Sequence, residues 1–267
     1  VPIGGSATAT SESPNSGNTF RGAFNAHGHL IYNLYCDKSG YFHAGLFGGI
    51  QYPCTIDSLV MVNPVLKSRG MMGAIAGFCR ASGTIYVRHC LVVNARIQGT
   101  GDNNMGCIIG ATYNNSSSTT YVQNCGATGT VSGNYPGGIF GNGEHTNTTN
   151  CYFAGTITVT GGDSNCGTIS AHGGTHTNCY AYANIPNVAT GTAGTAVTQA
   201  YMQSSAIIND LGPAFMMDNG VNNGYPIMSY MSGVDPSEAV ICTGESVTLT
   251  AFGFDDRASL RRLLGFL

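Results

Sequence analysis

A short pattern of glycine, apolar residues and glycine returns about every thirty residues, and this period limits the folds open to the chain more than any other feature. It reads GLFG at Gly45–Gly48, GAIAG at Gly73–Gly77, GCIIG at Gly106–Gly110, GGIFG at Gly137–Gly141 and GTISA at Gly167–Ala171. The closing residues lie 29, 33, 31 and 30 positions apart. A second element follows each of the last four and ends at His89-Cys90, Asn124-Cys125, Asn150-Cys151 and Asn178-Cys179, with cysteine spacings of 35, 26 and 28. A third, ARIQG, GTVSG or GTITVTGG, leads through a polar glycine-rich loop into the next unit. Each unit thus holds three short strand candidates separated by turns.

One such unit cannot bury its own apolar side chains, whereas stacked copies can, each strand pairing with its equivalent in the next coil at about 4.8 Å. The predicted fold is therefore all-β: a β-solenoid with about three short strands per coil of roughly 30 residues. No segment of the body sustains a 3.6-residue apolar period, and Gly, Thr, Val and Ile are poor helix formers. A sandwich or barrel does not explain why the same residue types return once per coil. Stacking also predicts that Cys90, Cys125, Cys151 and Cys179 form one internal ladder. Parallel side-chain directions make a disulfide torsion between adjacent rungs awkward, so the thiols are expected to be free and buried.

Composition narrows the function. Charged residues are 9% of the 267, against a usual figure of about 25%, while apolar residues remain at 42%. Residues 1–96 carry seven Lys/Arg and three Asp/Glu, residues 97–256 carry ten acids and no Lys or Arg, and three Arg follow. No basic stripe can run along the body, which argues against nucleic-acid partners and a polybasic membrane patch. No apolar run approaches the ~20 residues that span a bilayer, so the chain reads as not transmembrane. The start at Val1 shows no positive-then-apolar segment, and an exported protein would have its signal removed or encoded outside this sequence.

The opening FRGAFNAHGHLIYNLYCDKSGYFHAGLFGGI (Phe20–Ile50), followed by the GGIFG…NCYFAGTITVTG units, resembles the GLUG-repeat regions of bacterial surface proteins and adhesins. Phe20, Gly22, Phe24, Gly28 and His29 match that family's opener, and Ala26 stands where a Gly is usual. LGPAFMMDNGVNNGYPIMSY (Leu211–Tyr230) is similar to the segment that ends these arrays, which implies a cap on the last coil. PSEAVICTGESVTLTAFG (Pro236–Gly253) resembles the first strands of an Ig-like module, which would need ~100 residues and here is incomplete. The implied organisation is a polar lead-in over 1–18, a GLUG-type solenoid over 19–200, an array-closing cap over 201–231, and a partial Ig-like module or tail over 232–267.

Several constellations invite chemistry. Asp102 and Asp163 fall in equivalent loops two units apart, about 10 Å if stacked, with Asn134 between them and Asn104 and Asn165 nearby. That spacing suits an inverting glycosidase pair or a hard cation, although Asp and Asn are also ordinary turn formers. Glu144 and His145 precede one cysteine rung by seven and six residues, and His172 and His176 precede the next by seven and three. Together they would make a zinc or proton-transfer set if the coils brought them together, but no HExxH spacing is present. His27 and His29 belong to the opener and read as capping residues. Tyr113, Tyr121, Tyr135, Tyr152, Tyr180 and Tyr182 are candidates for an exposed stripe that stacks on sugar rings, or simply cover a β face. No phosphate loop, dinucleotide fingerprint or nucleophile elbow occurs.

The reading that follows is a non-enzymatic extracellular or cell-surface β-solenoid of adhesin type, without cofactor, that binds glycans or host proteins and can self-associate through exposed strands. The alternatives are a carbohydrate-active β-helix enzyme using Asp102, Asp163 or Glu144, and a phage tail-spike or filament subunit.

Overall fold

The computed structural model describes Ile3 and residues 19–38, 42–80, 82–101, 104–113, 118–160, 165–184 and 193–232. It is a parallel β-solenoid of about five turns. Each full coil passes through three faces and a short fourth strand. Face 1 stacks the first half of Phe47–Asp57, then Ala76–Arg80, Ile109–Thr112, Phe140–Asn142 and Ser170–His172. Face 2 stacks Phe20–Asn25, the second half of Phe47–Asp57, then Thr84–Arg88, Thr119–Gln123, Thr146–Thr149 and Thr175–Thr177. Face 3 begins as two short strands per coil, Leu30–Tyr32 with Tyr35–Lys38 and Val60–Val62 with Val65–Ser68. It continues as single strands, Leu91–Gly99, Gly126–Gly133, Tyr152–Val159 and Tyr180–Asn184. The fourth stack holds His43–Ala44, Met71–Met72, Asn104–Gly106 and Tyr135–Gly137.

The recurring glycine pairs mark the corner between the fourth strand and face 1. There backbone packs on backbone: a Cβ on Gly110 would strike Met72 N and Gly77 O, and one on Gly141 would strike Met105 N. Only glycine permits that approach, which is why the pattern keeps its period while the residues inside it vary. Between the corners, inward columns run along the axis. One reads Phe24, Ile56, Val87, Val122, Thr148 and His176, so the core becomes more polar toward the last coil.

The four cysteines stand in one file, as the period predicts. Cys90 N–H donates to Cys125 Sγ at 3.5 Å and Cys125 N–H to Cys151 Sγ at 3.4 Å, and Cys90, Cys125, Cys151 and Cys179 are all buried free thiols. Immediately before each lies a left-handed corner residue, His89, Asn124, Asn150 or Asn178, each at φ 52°. Asparagine tolerates that region better than most residues, and its amide can bridge coils.

Residues 197–231 form a strap rather than a cap on the last coil. Helix α1 (Gln199–Met202) starts at Thr198, whose hydroxyl accepts from Tyr201 N–H, and α2 (Ser205–Leu211) ends at Gly212. From there the chain runs back along the outside of face 3. Asp210 O accepts from Asn178 in the last coil, Asn222 Oδ1 accepts from Thr128 in the middle, and Tyr230 OH donates to His89 O near the start. The ring of Tyr230 lies against Gly28 of the opener. The outward residues of face 3 explain this path: Val60, Leu91, Val62, Val93 and Tyr152 are apolar and are buried with Met202, Leu211, Phe215 and Met231. Covering such side chains stabilises by roughly 1.5–3 kcal/mol each, and Tyr180 and Tyr182 of the last coil pack against the same cluster. Among the described residues no helix is long and apolar enough to cross a membrane.

Candidate functional site

The described candidate residues do not converge on one surface. Asp102 and Asp163 lie outside the described residues. Of their companions, Asn134 is buried and Asn104 pairs in register with Tyr135 on the fourth stack.

The acid–imidazole set is half assembled. Glu144 and His172 meet across adjacent coils, with His172 Nδ1 3.5 Å from Glu144 Oε1 and both side chains about half exposed. His145 is exposed at a left-handed turn, φ 54°. His176 does not join them. It pairs in register with Thr148 at the end of an inward column, and burial pushes its imidazole down to about 4. Among the described residues no group of three or more His, Cys, Asp or Glu comes together as a metal site.

The proposed tyrosine stripe is corrected. Tyr152 is fully buried under the strap, where its hydroxyl donates to Pro226 O and accepts from Asn222 Nδ2. Its ring leans over Gly126, where any Cβ would collide with it, and burial pushes its phenol well up. Tyr180 and Tyr182 sit on the same strapped face, and Tyr135 lies on the fourth stack. Of the six, Tyr152 and Tyr180 pair in register on the strapped face, and the others occupy different positions within their coils, so the stack does not gather them into one exposed stripe.

What the stack does align is Tyr86 with Tyr121. They pair in register on face 2, their ring centroids are 5.4 Å apart, and the planes are inclined by 19°. Each precedes its corner cysteine by four residues, a count that identifies the pair in the sequence. The outward column they belong to reads Thr55, Tyr86, Tyr121, Asn147 and Thr175. Beside it, Thr84 and Thr119 pair on the next outward position. Face 2 therefore shows water a flat row of hydroxyls and amides with an aromatic pair at its centre.

One margin of this face is a continuous hydrogen-bonded ladder. Asn178 Nδ2 donates to Asn150 Oδ1 at 2.8 Å, Asn150 Nδ2 to Asn124 Oδ1 at 3.1 Å, and Asn124 Nδ2 meets His89 Nε2 at 3.2 Å. An amide donor at Nε2 leaves His89 protonated on Nδ1, which faces Asp57 Oδ1 at 3.0 Å. Burial alone would raise the Asp57 carboxyl, but hydrogen bonds from His89, Arg88 and Ser58 outweigh it and hold the group below its usual range. The Asp–His arrangement resembles an oriented proton-transfer pair, yet its outer nitrogen is taken by an amide, so it acts as the foot of the ladder. A second ladder, Asn94 to Asn63 to Asn33, marks the bend of face 3 in the first coils.

No protein-family model matches the chain, and no curated protein does. Among solved structures it is similar to a crystal structure from Bacteroides ovatus named as a candidate immunoglobulin A1 protease, with a TM-score of 0.57 and 20% identity. The match covers 86% of this chain and 81% of that one. The likeness is one of fold. At that identity the shared β-solenoid carries no residue role from one chain to the other.

Proposed function

We propose that the chain is a non-enzymatic, extracellular solenoid of surface or adhesin type, related to GLUG-repeat arrays, that binds a glycan or host protein on face 2. One observation carries this reading: of two long faces built from the same coils, the first half of face 3 is sealed by the strap while the outer row of face 2, with its Tyr86–Tyr121 pair, stays in water. A flat repeating row of hydroxyls and amides suits multivalent contact with an extended polymer, each rung adding a weak bond. Only the two outer faces of the stacked ring pair are free for a sugar to cover, so the tyrosines anchor one position rather than line a long stripe.

Binding to immobilised glycans and to extracellular host proteins, compared between the wild type and Tyr86→Ala/Tyr121→Ala, tests the reading. Loss of binding in the double variant with unchanged thermal unfolding supports it, and undiminished binding overturns it.

The runner-up is a hydrolase centred on Glu144 and His172, the acid–imidazole pair that meets across two coils, and the name of the Bacteroides ovatus protein points to peptide-bond cleavage. On the binding reading, Glu144→Gln and Asp102→Asn leave both folding and binding intact. A polysaccharide- or peptide-cleaving activity that collapses in either variant would favour the enzyme.

A further inference from the structure

The two outer ring faces of the Tyr86–Tyr121 pair look onto different ground. The rings stack across one rung, so the free face of Tyr86 turns back toward Thr55 and that of Tyr121 turns forward toward Asn147. On the Tyr86 side the neighbouring outward column carries an ion pair, with Arg88 Nε 2.8 Å from Asp57 Oδ2. On the Tyr121 side it carries none. There register stacks the outward residues in two columns, Tyr121–Asn147–Thr175 and Gln123–Thr149–Thr177, a lattice of three rungs whose six side chains are all neutral.

These side chains are not spent on the protein. Among the described residues none of the six donates to or accepts from another side chain or the backbone. Other asparagines of these coils are committed: Asn178, Asn150 and Asn124 bond along the corner ladder, and Asn142 Oδ1 accepts from Glu144 N–H. Asn147 is half-buried beneath the open face of Tyr121, and Thr175 and Thr177 are exposed. An amide offers two donors and a carbonyl acceptor, and each hydroxyl adds a donor and two lone pairs, a set that matches the hydroxyls of a sugar. The tyrosine ring supplies a platform for the apolar C–H face of the same sugar.

The charge of this region selects among sugars. Residues 97–256 hold ten Asp and Glu and no Lys or Arg, and Glu144, two residues before the strand Thr146–Thr149, carries a half-exposed carboxylate. A uronate or sulfated sugar would lose water from its anion here with no cation to receive it, and would meet a like charge on the same coil.

We propose that Tyr121, Gln123, Asn147, Thr149, Thr175 and Thr177 form a subsite for a neutral hexose of a glycan, its C–H face laid on Tyr121 and its hydroxyls bonded by the Asn147 amide and the threonines beside it. The inference rests on the reading of face 2 as a binding surface, and it selects the ligand class and the end of the row that takes it.

Isothermal titration of the whole chain with a neutral cello-oligosaccharide, a neutral galacto-oligosaccharide and an oligogalacturonate of the same length tests it. One of the neutral glycans should bind at least about tenfold more tightly than the oligogalacturonate, with an affinity that does not change as salt rises. Asn147→Ala should lose about tenfold, and Asn147→Asp at least as much, because it removes the donors and adds a charge. Both changes lie on the outer row, and unchanged melting curves serve as the folding control. Equal or tighter binding of the oligogalacturonate, or an Asn147→Ala variant that binds as the wild type does, overturns the subsite. Binding of neither neutral glycan overturns it as well. If binding that depends on Tyr86 and Tyr121 persists in any of these cases, the face 2 reading stands without the subsite, whereas no binding to any glycan or host protein sinks both.

Discussion

Faces 2 and 3 are strands of the same coils, share one repeat and are separated by one corner, yet the first half of face 3 is covered and face 2 is open. The difference lies in the outward column. On face 3 it reads Leu30, Val60, Leu91, Gly126, Tyr152 and Tyr180, and on face 2 it reads Thr55, Tyr86, Tyr121, Asn147 and Thr175. The inward columns are apolar in both through the first coils, and Thr148 and His176 depart from that at the end of face 2, so the core does not decide which face is covered. Which face of this solenoid is covered is therefore set by the residues that do not build its core. Apolar outward residues recruit the chain's own strap, and polar ones leave the face open to water.

The comparison breaks most easily at Tyr152. Its ring is buried between Gly126, Phe215 and the strap, and its hydroxyl closes a network in which Asn222 also serves Thr128 and Pro226. Tyr152→Ala should cost about 3–5 kcal/mol, the range for emptying a buried aromatic site, measured by denaturant unfolding at neutral pH. Because Asn222 loses a partner at the same time, the value should fall in the upper part of that range. A cost below about 1 kcal/mol would mean that the strap does not seal face 3, and the contrast between the faces would be lost.

Acid sharpens the comparison at the next level. His43, buried in the fourth stack with its ring 4.3 Å from that of Phe78, is pushed down from 6.5 to about 4 by burial. His176, at the polar end of an inward column, is pushed down to about 4 as well. Between pH 6.5 and 4 the unfolded chain binds protons at both sites that the native chain refuses, so stability should fall as pH falls through that window. For His43 alone the full loss approaches ~3 kcal/mol. Below about 3.8 the depressed Asp57 carboxyl adds a further loss as the foot of the ladder is protonated. Denaturant unfolding at pH 7 and pH 4.5 should show this loss in the wild type and a clearly smaller one in His43→Gln. Equal losses in the two proteins would remove His43 from the account.

Much of this architecture was legible in the residues. The glycine pairs and the cysteine file are imposed by geometry that recurs once per coil, so period alone reveals the solenoid, the order of its faces and the free-thiol ladder. The site was less legible, because outward side chains are not constrained by the core and carry no period of their own. Tyr113, Tyr121, Tyr135, Tyr152 and Tyr180 look equivalent as residues and become four different environments once their distance from the nearest corner cysteine is counted. The strap was legible as an ending but not as a flank. Its partners, Leu30, Val60, Leu91 and Tyr152, are spread over more than a hundred residues, and only register brings them together.

The smallest effect on stability is expected where the face 2 reading is most exposed. Tyr121 sits on the open row, touches Tyr86 in an offset stack and supports no buried polar group. Removing its ring forfeits one aromatic pair, about 0.5–1.5 kcal/mol, and part of that is returned when the remaining ring regains water. Tyr121→Ala should therefore lower stability by no more than about 1 kcal/mol, several-fold less than Tyr152→Ala on the covered face, in the same denaturant measurement. A cost as large as that of Tyr152→Ala would show that the ring is part of the fold's support. Its place at the centre of the outer row would then follow from packing, and the argument that face 2 is kept for a ligand would lose its anchor.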